Sequence, residues 1–171
     1  YMFWCCSDVF EELFILVKPF HGSYGIVSND GIPKPNFWGF KILSQLFPQR
    51  LDLPITNNDV EYAVFVDGDK TQILLYTQDF DYGKHDTTEI EITINASARS
   101  VTKQVIDDLH CNPKVEWIKL GKPVLLTPAQ VMMIKEKTRL VSEPQRFAEE
   151  NGNTTICLSM QTNDVVLLTL E

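Results

Sequence analysis

The sequence predicts a mainly β fold, an antiparallel β-sandwich carrying one or two helices, preceded by a single strand–loop–helix unit. Three observations carry this. From about residue 48 onward, short runs of alternating polarity recur between turn residues; "TEIEITIN" sets Ile90, Ile92 and Ile94 on one face and Glu89, Glu91 and Thr93 on the other. The opening "YMFWCC" is continuously apolar, as a strand buried on both faces requires. Between these regimes, "PNFWGFKILSQLF" spaces Trp38, Ile42 and Leu46 at i, i+4 and i+8, one stripe of a helix.

The first 47 residues read as strand 1–6, a Gly- and Pro-rich loop from Ser7 to Pro35, and that helix. Pro35 suits its first turn and Pro48 ends it. One such unit cannot bury both faces of its strand, so it belongs to something larger. Residues 48–171 form the second domain. "VEYAVFVDGDKTQILLYTQ" is a hairpin about Asp67, Gly68 and Asp69. "RSVTKQVID" is a further strand. "TTICLSMQTNDVVLLTLE" reads as a second hairpin, turning at Thr162–Asp164 with Ile156, Leu158 and Met160 inward. One helix interrupts the strands: Thr127 is placed to N-cap, Pro128 opens the first turn and Gln130 closes a capping box. Its Val131 and Ile134, with Thr138 beyond them, are expected to face the sheet.

Composition excludes several classes. The 171 residues carry a net charge of -8, and Lys and Arg are nowhere clustered, which argues against a nucleic-acid surface. The longest apolar stretch, "LFILV", is far too short to cross a bilayer. No signal peptide is read, and a cytoplasmic location is expected. Cys5, Cys6, Cys111 and Cys157 show no metal-binding spacing and are expected to be free, mostly buried thiols. No cofactor and no metal are expected.

The stretch "WCCSDVFEE" sets Asp8, Glu11 and Glu12 among Trp4, Val9 and Phe10. A solvated charge run is usually framed by Lys, Ser or Gly; carboxylates beside aromatics suit a pocket wall that holds a polyol. An exposed acidic loop is the competing reading of the same residues.

Those residues continue into a longer pattern. Trp4, Ser7-Asp8-Val9-Phe10-Glu11-Glu12, Phe20-His21-Gly22, Tyr24-Gly25-Ile26 and Gly31-Ile32-Pro33-Lys34-Pro35 follow in order. Together they resemble the end of the (β/α)8 barrel of glycoside hydrolase family 39, the β-xylosidase family. "KQVID", "WIKLGKPVLLTPAQV" and "ICLSMQTNDVVLLTLE" are similar to the accessory β-sandwich that follows the barrel. The chain departs from the family pattern at Ser23, where a second Gly is usual, and at Cys5-Cys6.

The resemblance implies that residues 1–47 are the last strand–loop–helix unit of the barrel and 48–171 the sandwich. Retaining glycosidases use two carboxyl groups about 5–5.5 Å apart. In this family they follow barrel strands 4 and 7, the acid/base after an Asn, and this sequence holds no Asn-Glu dipeptide. The resemblance therefore implies no catalytic residue here, and a fragment inert alone. What remains is a pocket edge: Trp4 as the floor under a sugar ring, Glu12 as acceptor for its hydroxyls, and Glu11 as the alternative. Asp8 is equally readable as a loop organiser bonding backbone amides, and His21 as a structural hydrogen bonder. The implied partner is a xylose-containing oligosaccharide bound by the full-length protein, with no nucleic acid, no membrane, and a homo-oligomer left open. Two other readings stand beside it. One is the C-terminal part of a sugar-sensing bacterial transcriptional regulator with a non-catalytic barrel of this kind. The other is an autonomous carbohydrate-binding or oligomerisation module, for which Tyr62, Tyr76 and Tyr82 could supply aromatic contacts.

Overall fold

The computed structural model describes residues 5–9, 18–22, 24–54, 60–81 and 83–171. The chain forms two compact units: Tyr1–Leu43 with Asp108–Leu140, and Ser44–Asp107 with Val141–Glu171.

The second unit is the β-sandwich. Its wider sheet runs β1 (Gln49–Arg50), β2 (Glu61–Asp67), β3 (Lys70–Tyr76), β9 (Val165–Leu170), β5 (Val101–Ile106) and β6 (Glu143–Pro144), all neighbours antiparallel. The narrower sheet is β4 (Thr87–Ile94), β8 (Asn153–Gln161) and β7 (Ala148–Glu150), also antiparallel. The β2–β3 hairpin forms as the sequence predicts, with Asp67 opposite Lys70 and Gly68 at φ 61 in the turn. Asn151 and Gly152, at φ 53 and 79, make the two-residue turn from β7 to β8, a left-handed pair that suits the strand twist.

The core lies between the sheets. Ile73, Leu75, Val166 and Leu168 from one side meet Ile156 and Met160 from the other. Each such side chain, fully buried, contributes about 1.5–3 kcal/mol. The alternation read in β4 holds, Ile90, Ile92 and Ile94 packing against this core. Thr154, fully buried, ties the chain before β5 to β8: its hydroxyl accepts from Ala98 N–H at 3.0 Å and donates to Ala96 C=O at 2.7 Å.

Four expectations are corrected. The expected second hairpin does not exist, because β8 and β9 lie in different sheets. The turn at 161–164 crosses the sandwich instead, closed by Gln161 N–H on Asp164 Oδ2 at 2.7 Å. Ile156 and Met160 still face inward, because the strand period is unaffected by which strand is the neighbour. The first helix, α1 (Pro35–Leu43), ends before Leu46 rather than at Pro48. Gln72 of β3 takes over there, accepting Phe47 N–H at 2.9 Å and donating to Gln45 C=O at 3.3 Å. The thiols are free, yet only Cys111 is buried; Cys157 points outward because it alternates with Ile156 on β8.

The fourth correction concerns the helices. The capping-box helix forms as α3 (Pro128–Lys137), with Thr127 and Gln130 bonding reciprocally. Its Ile134 is buried against Ile32 and Trp117, within the first unit. Trp117 sits on α2 (Pro113–Lys119), a helix of seven residues that the sequence reading did not assign. Trp117 donates its indole N–H to Pro123 C=O at 2.9 Å and meets Phe20 edge-on at 5.9 Å. Glu116 ties α2 to α3, its carboxylate 2.5 Å from Lys119 Nζ and 3.2 Å from Lys137 Nζ.

Candidate functional site

Cys5–Val9 forms no named strand element, and its backbone runs parallel to residues 26–27. Ile26 N–H reaches Cys5 C=O at 3.2 Å, Val27 N–H reaches Cys6 C=O at 3.1 Å, and Asp8 N–H returns to Val27 C=O at 3.0 Å. The following loop folds back on itself through Ser28. The Ser28 N–H bonds Ile32 C=O at 2.9 Å, its hydroxyl accepts from Asp30 and Ile32 N–H, and Gly31 takes φ 67 at the bend. Lys34 N–H then bonds Ile26 C=O at 2.9 Å, which returns the chain beside Asp8.

Asp8 is the hub. Its side chain is fully buried, and its Oδ1 accepts from Gly25 N–H at 2.9 Å and from Lys34 Nζ at 2.6 Å. Charge-assisted bonds of this kind are the strong ones, and burial raises what is lost if either partner goes. Gly25 is needed because a Cβ there would lie 2.3 Å from both Asp8 N and Ser7 C, closer than backbone atoms permit. Residues 17 and 26 positions apart thus form one clasp. With its charge committed to Lys34 and Gly25, Asp8 is the loop organiser that the sequence allowed. Its Oδ2 is buried with no hydrogen-bond partner among the described residues.

Of the predicted site residues, Trp4, Glu11 and Glu12 lie outside the described residues, as does Tyr82. His21 is partly buried, and its Nε2 has no hydrogen-bond partner among the described residues, so the expected structural bond is not made through that atom. Lys34 and Gly25 are the residues that sequence reasoning missed. Both stand in quoted motifs, but nothing local marks a Lys as the partner of a carboxylate 26 positions earlier.

The second unit holds a polar hollow of about 570 Å³ beside Thr77, Asp79, Lys84, Asp86 and Thr162. Lys84 bridges Asp79 at 3.0 Å and Asp86 at 3.4 Å. The bond to Asp79 is the main cause that raises the Lys84 pKa; the Asp79 carboxyl is lowered first by Asp81 N–H and then by Lys84. These charges satisfy one another. Among the described residues no group of three or more His, Cys, Asp or Glu could hold a metal ion.

Residues 1–155 match the family model of glycosyl hydrolases family 39. The chain belongs to that family. As a family 39 chain it is 27% identical over 176 residues to a β-xylosidase of Caldicellulosiruptor saccharolyticus, covering all of this chain and 36% of the relative. It is 25% identical to a β-xylosidase of Geobacillus stearothermophilus, covering all of this chain and 33% of that protein. The chain therefore spans about a third of the length of the curated relatives it matches. The crystal structure of the family 39 enzyme from Xanthomonas axonopodis pv. citri superposes with a TM-score of 0.73 at 26% identity, over 98% of this chain and 36% of that one. A β-xylosidase from Caulobacter crescentus shares the fold with a TM-score of 0.74 at 24% identity, over 98% and 34%. All three members of the clasp, Asp8, Gly25 and Lys34, lie within the matched residues and within the motif run from Trp4 to Pro35.

Proposed function

We propose that this chain is the C-terminal portion of a retaining β-xylosidase-like hydrolase that removes terminal xylose from xylo-oligosaccharides. It contributes one edge of the sugar pocket, and both catalytic carboxylates come from outside residues 1–171. The observation that carries this reading is the alignment of the whole chain with a third of two β-xylosidases. In it, Trp4 offers its face to the C–H side of the sugar ring, and Glu12, or Glu11 in its place, accepts from the hydroxyls. Asp8, clasped by Lys34 and Gly25, anchors the backbone from which the two glutamates follow. The exposed thiols of Cys6 and Cys157 fit a reducing compartment, and no helix among the described residues is long and apolar enough to cross a membrane.

Hydrolysis of an aryl β-xyloside tests this. The isolated chain should show none, because the two-carboxylate machinery is absent. In the intact parent, Glu12→Ala should lower kcat/KM by about 1.5–3 kcal/mol, the range for a hydrogen bond to a charged group. Hydrolysis by the isolated chain that Glu11→Gln or Glu12→Gln abolishes would overturn the assignment. So would a parent in which Glu11→Ala and Glu12→Ala both stay within twofold of wild type at an unchanged melting temperature.

A further inference from the structure

One connection is far longer than its strands require. β5 and β6 are antiparallel neighbours, with Thr102 opposite Pro144 and Lys103 opposite Glu143. Such neighbours are ordinarily joined by about two to five residues. Here residues 107–142 intervene, and the helices they carry, α2 and α3, belong to the first unit. Trp117 of α2 is buried with Ile134 of α3 and with Ile32, and Phe20 packs on the same cluster. Trp117 meets two residues of the loop after Asp8 at once. The Phe20 ring stands edge-on to it at 5.9 Å, and Lys18 Nζ lies 5.6 Å from its ring centroid. The indole is itself fixed by its N–H bond to Pro123 C=O. Phe20 has φ 53, a region that a bulky residue rarely occupies. A conformation of that kind persists only where the surrounding packing over-determines it, and the Trp117 ring supplies that packing.

We infer that Trp117 is a positioning residue for the sugar-binding edge, acting through Phe20 and Lys18 on Glu11 and Glu12. The inference rests on the reading of the chain as part of a longer hydrolase. In the sequence the two glutamates stand between Asp8, which the clasp fixes, and Lys18. A segment tied at one end samples more arrangements than one tied at both, and ordering it on binding costs conformational entropy. The second tie, made by Trp117 at residues 18 and 20, lowers that cost before the sugar arrives. In the hydrolase reading the reacting carboxylates come from outside residues 1–171. Losing the tie therefore weakens the hold on the sugar in ground state and transition state alike, which raises KM and leaves kcat. A Trp117 that serves only the helix core would change stability and leave KM where it is.

The test uses the intact parent and an aryl β-xyloside, at a temperature where circular dichroism shows each variant folded. Phe20→Gly removes the ring, and glycine adopts a φ of 53 without strain. Trp117→Leu removes the indole and keeps the position apolar. Each should raise KM about fivefold or more with kcat within about twofold, the pattern of lost uniform binding. Trp117→Phe, which keeps a ring for Phe20 and Lys18, should recover most of that loss. With Glu11→Ala and Glu12→Ala already in place, Phe20→Gly should change kcat/KM by less than about twofold, because its effect passes through the glutamates. KM within twofold of wild type in both folded variants would overturn the inference. So would a Phe20→Gly effect that persists in full without the glutamates. Either result leaves the hydrolase reading standing on wild-type turnover, whereas a wild-type parent that does not hydrolyse the xyloside overturns both.

Discussion

Replacing Lys34 by methionine should destabilise the first unit by about 3–5 kcal/mol, the range for stranding one member of a buried ion pair. The Asp8 side chain has no solvent exposure and that of Lys34 has 14%, with 2.6 Å between Nζ and Oδ1. Methionine keeps most of the packing of the lysine stem but leaves the carboxylate with Gly25 N–H as its remaining described hydrogen bond. Asp8→Asn is milder. The amide oxygen still accepts from Gly25, and the Lys34 ammonium can turn toward water along its exposed edge, so the loss is about 1–3 kcal/mol. The double variant should be more stable than Lys34→Met alone, because no buried charge is then left without a partner. Urea unfolding followed by tryptophan fluorescence measures all three. The three tryptophans of the sequence, Trp4, Trp38 and Trp117, all belong to the first unit, so the signal reports on the unit that holds the clasp. A Lys34→Met variant within 1 kcal/mol of wild type (the scale of an exposed pair), or an Asp8→Asn variant less stable than Lys34→Met, would refute this account of Asp8.

Other expectations use similar measurements. Gly25→Ala should lose at least the ~1–3 kcal/mol of an overpacked core site, since its Cβ meets backbone at 2.3 Å and no side chain can move aside; the same fluorescence titration reads it. Thr154→Val should cost about 1–3 kcal/mol in the sandwich by leaving Ala98 N–H and Ala96 C=O without their hydroxyl partner, read by far-ultraviolet circular dichroism. The acid limb of stability has an assigned contributor in Glu116. Its pKa is held below the ordinary carboxylate value, first by the hydrogen bond from Lys119 and then by that from Lys137. A lowered folded pKa means that its stabilisation is present above the unfolded value, about 4.3, and is lost as pH falls through the folded one. Glu116→Gln should therefore flatten the fall in stability of the first unit between about pH 5 and pH 3, and slopes identical to wild type would remove Glu116 from that role.

The sequence alone determined the elements whose signals are local. Period-two alternation in "TEIEITIN" sufficed for β4 and for the face it buries, and Asp67-Gly68-Asp69 sufficed for the β2–β3 turn. Thr127 and Gln130 announced the start of α3, because a capping box is closed within three residues. The motif run from Trp4 to Pro35 was likewise legible and was enough to point to the family. What only the tertiary structure decided is partnership between distant residues. Alternation shows which face of β8 is buried, not which strand lies beside it, so β8 and β9 read as a hairpin although a crossing turn sends them into opposite sheets. The apolar stripe of α3 shows that it packs, not against what; of its partners Ile32 and Trp117, the second comes from a short helix with no side-chain N-cap bond, marked only by Asn112-Pro113. The clasp is the sharpest case. Asp8, Gly25 and Lys34 are unremarkable in their own neighbourhoods, and a hydrogen bond joins them only because the chain returns twice to the same place. Local physics selects an element's type and inward face, but pairing is settled by competition among long-range contacts that no short window contains.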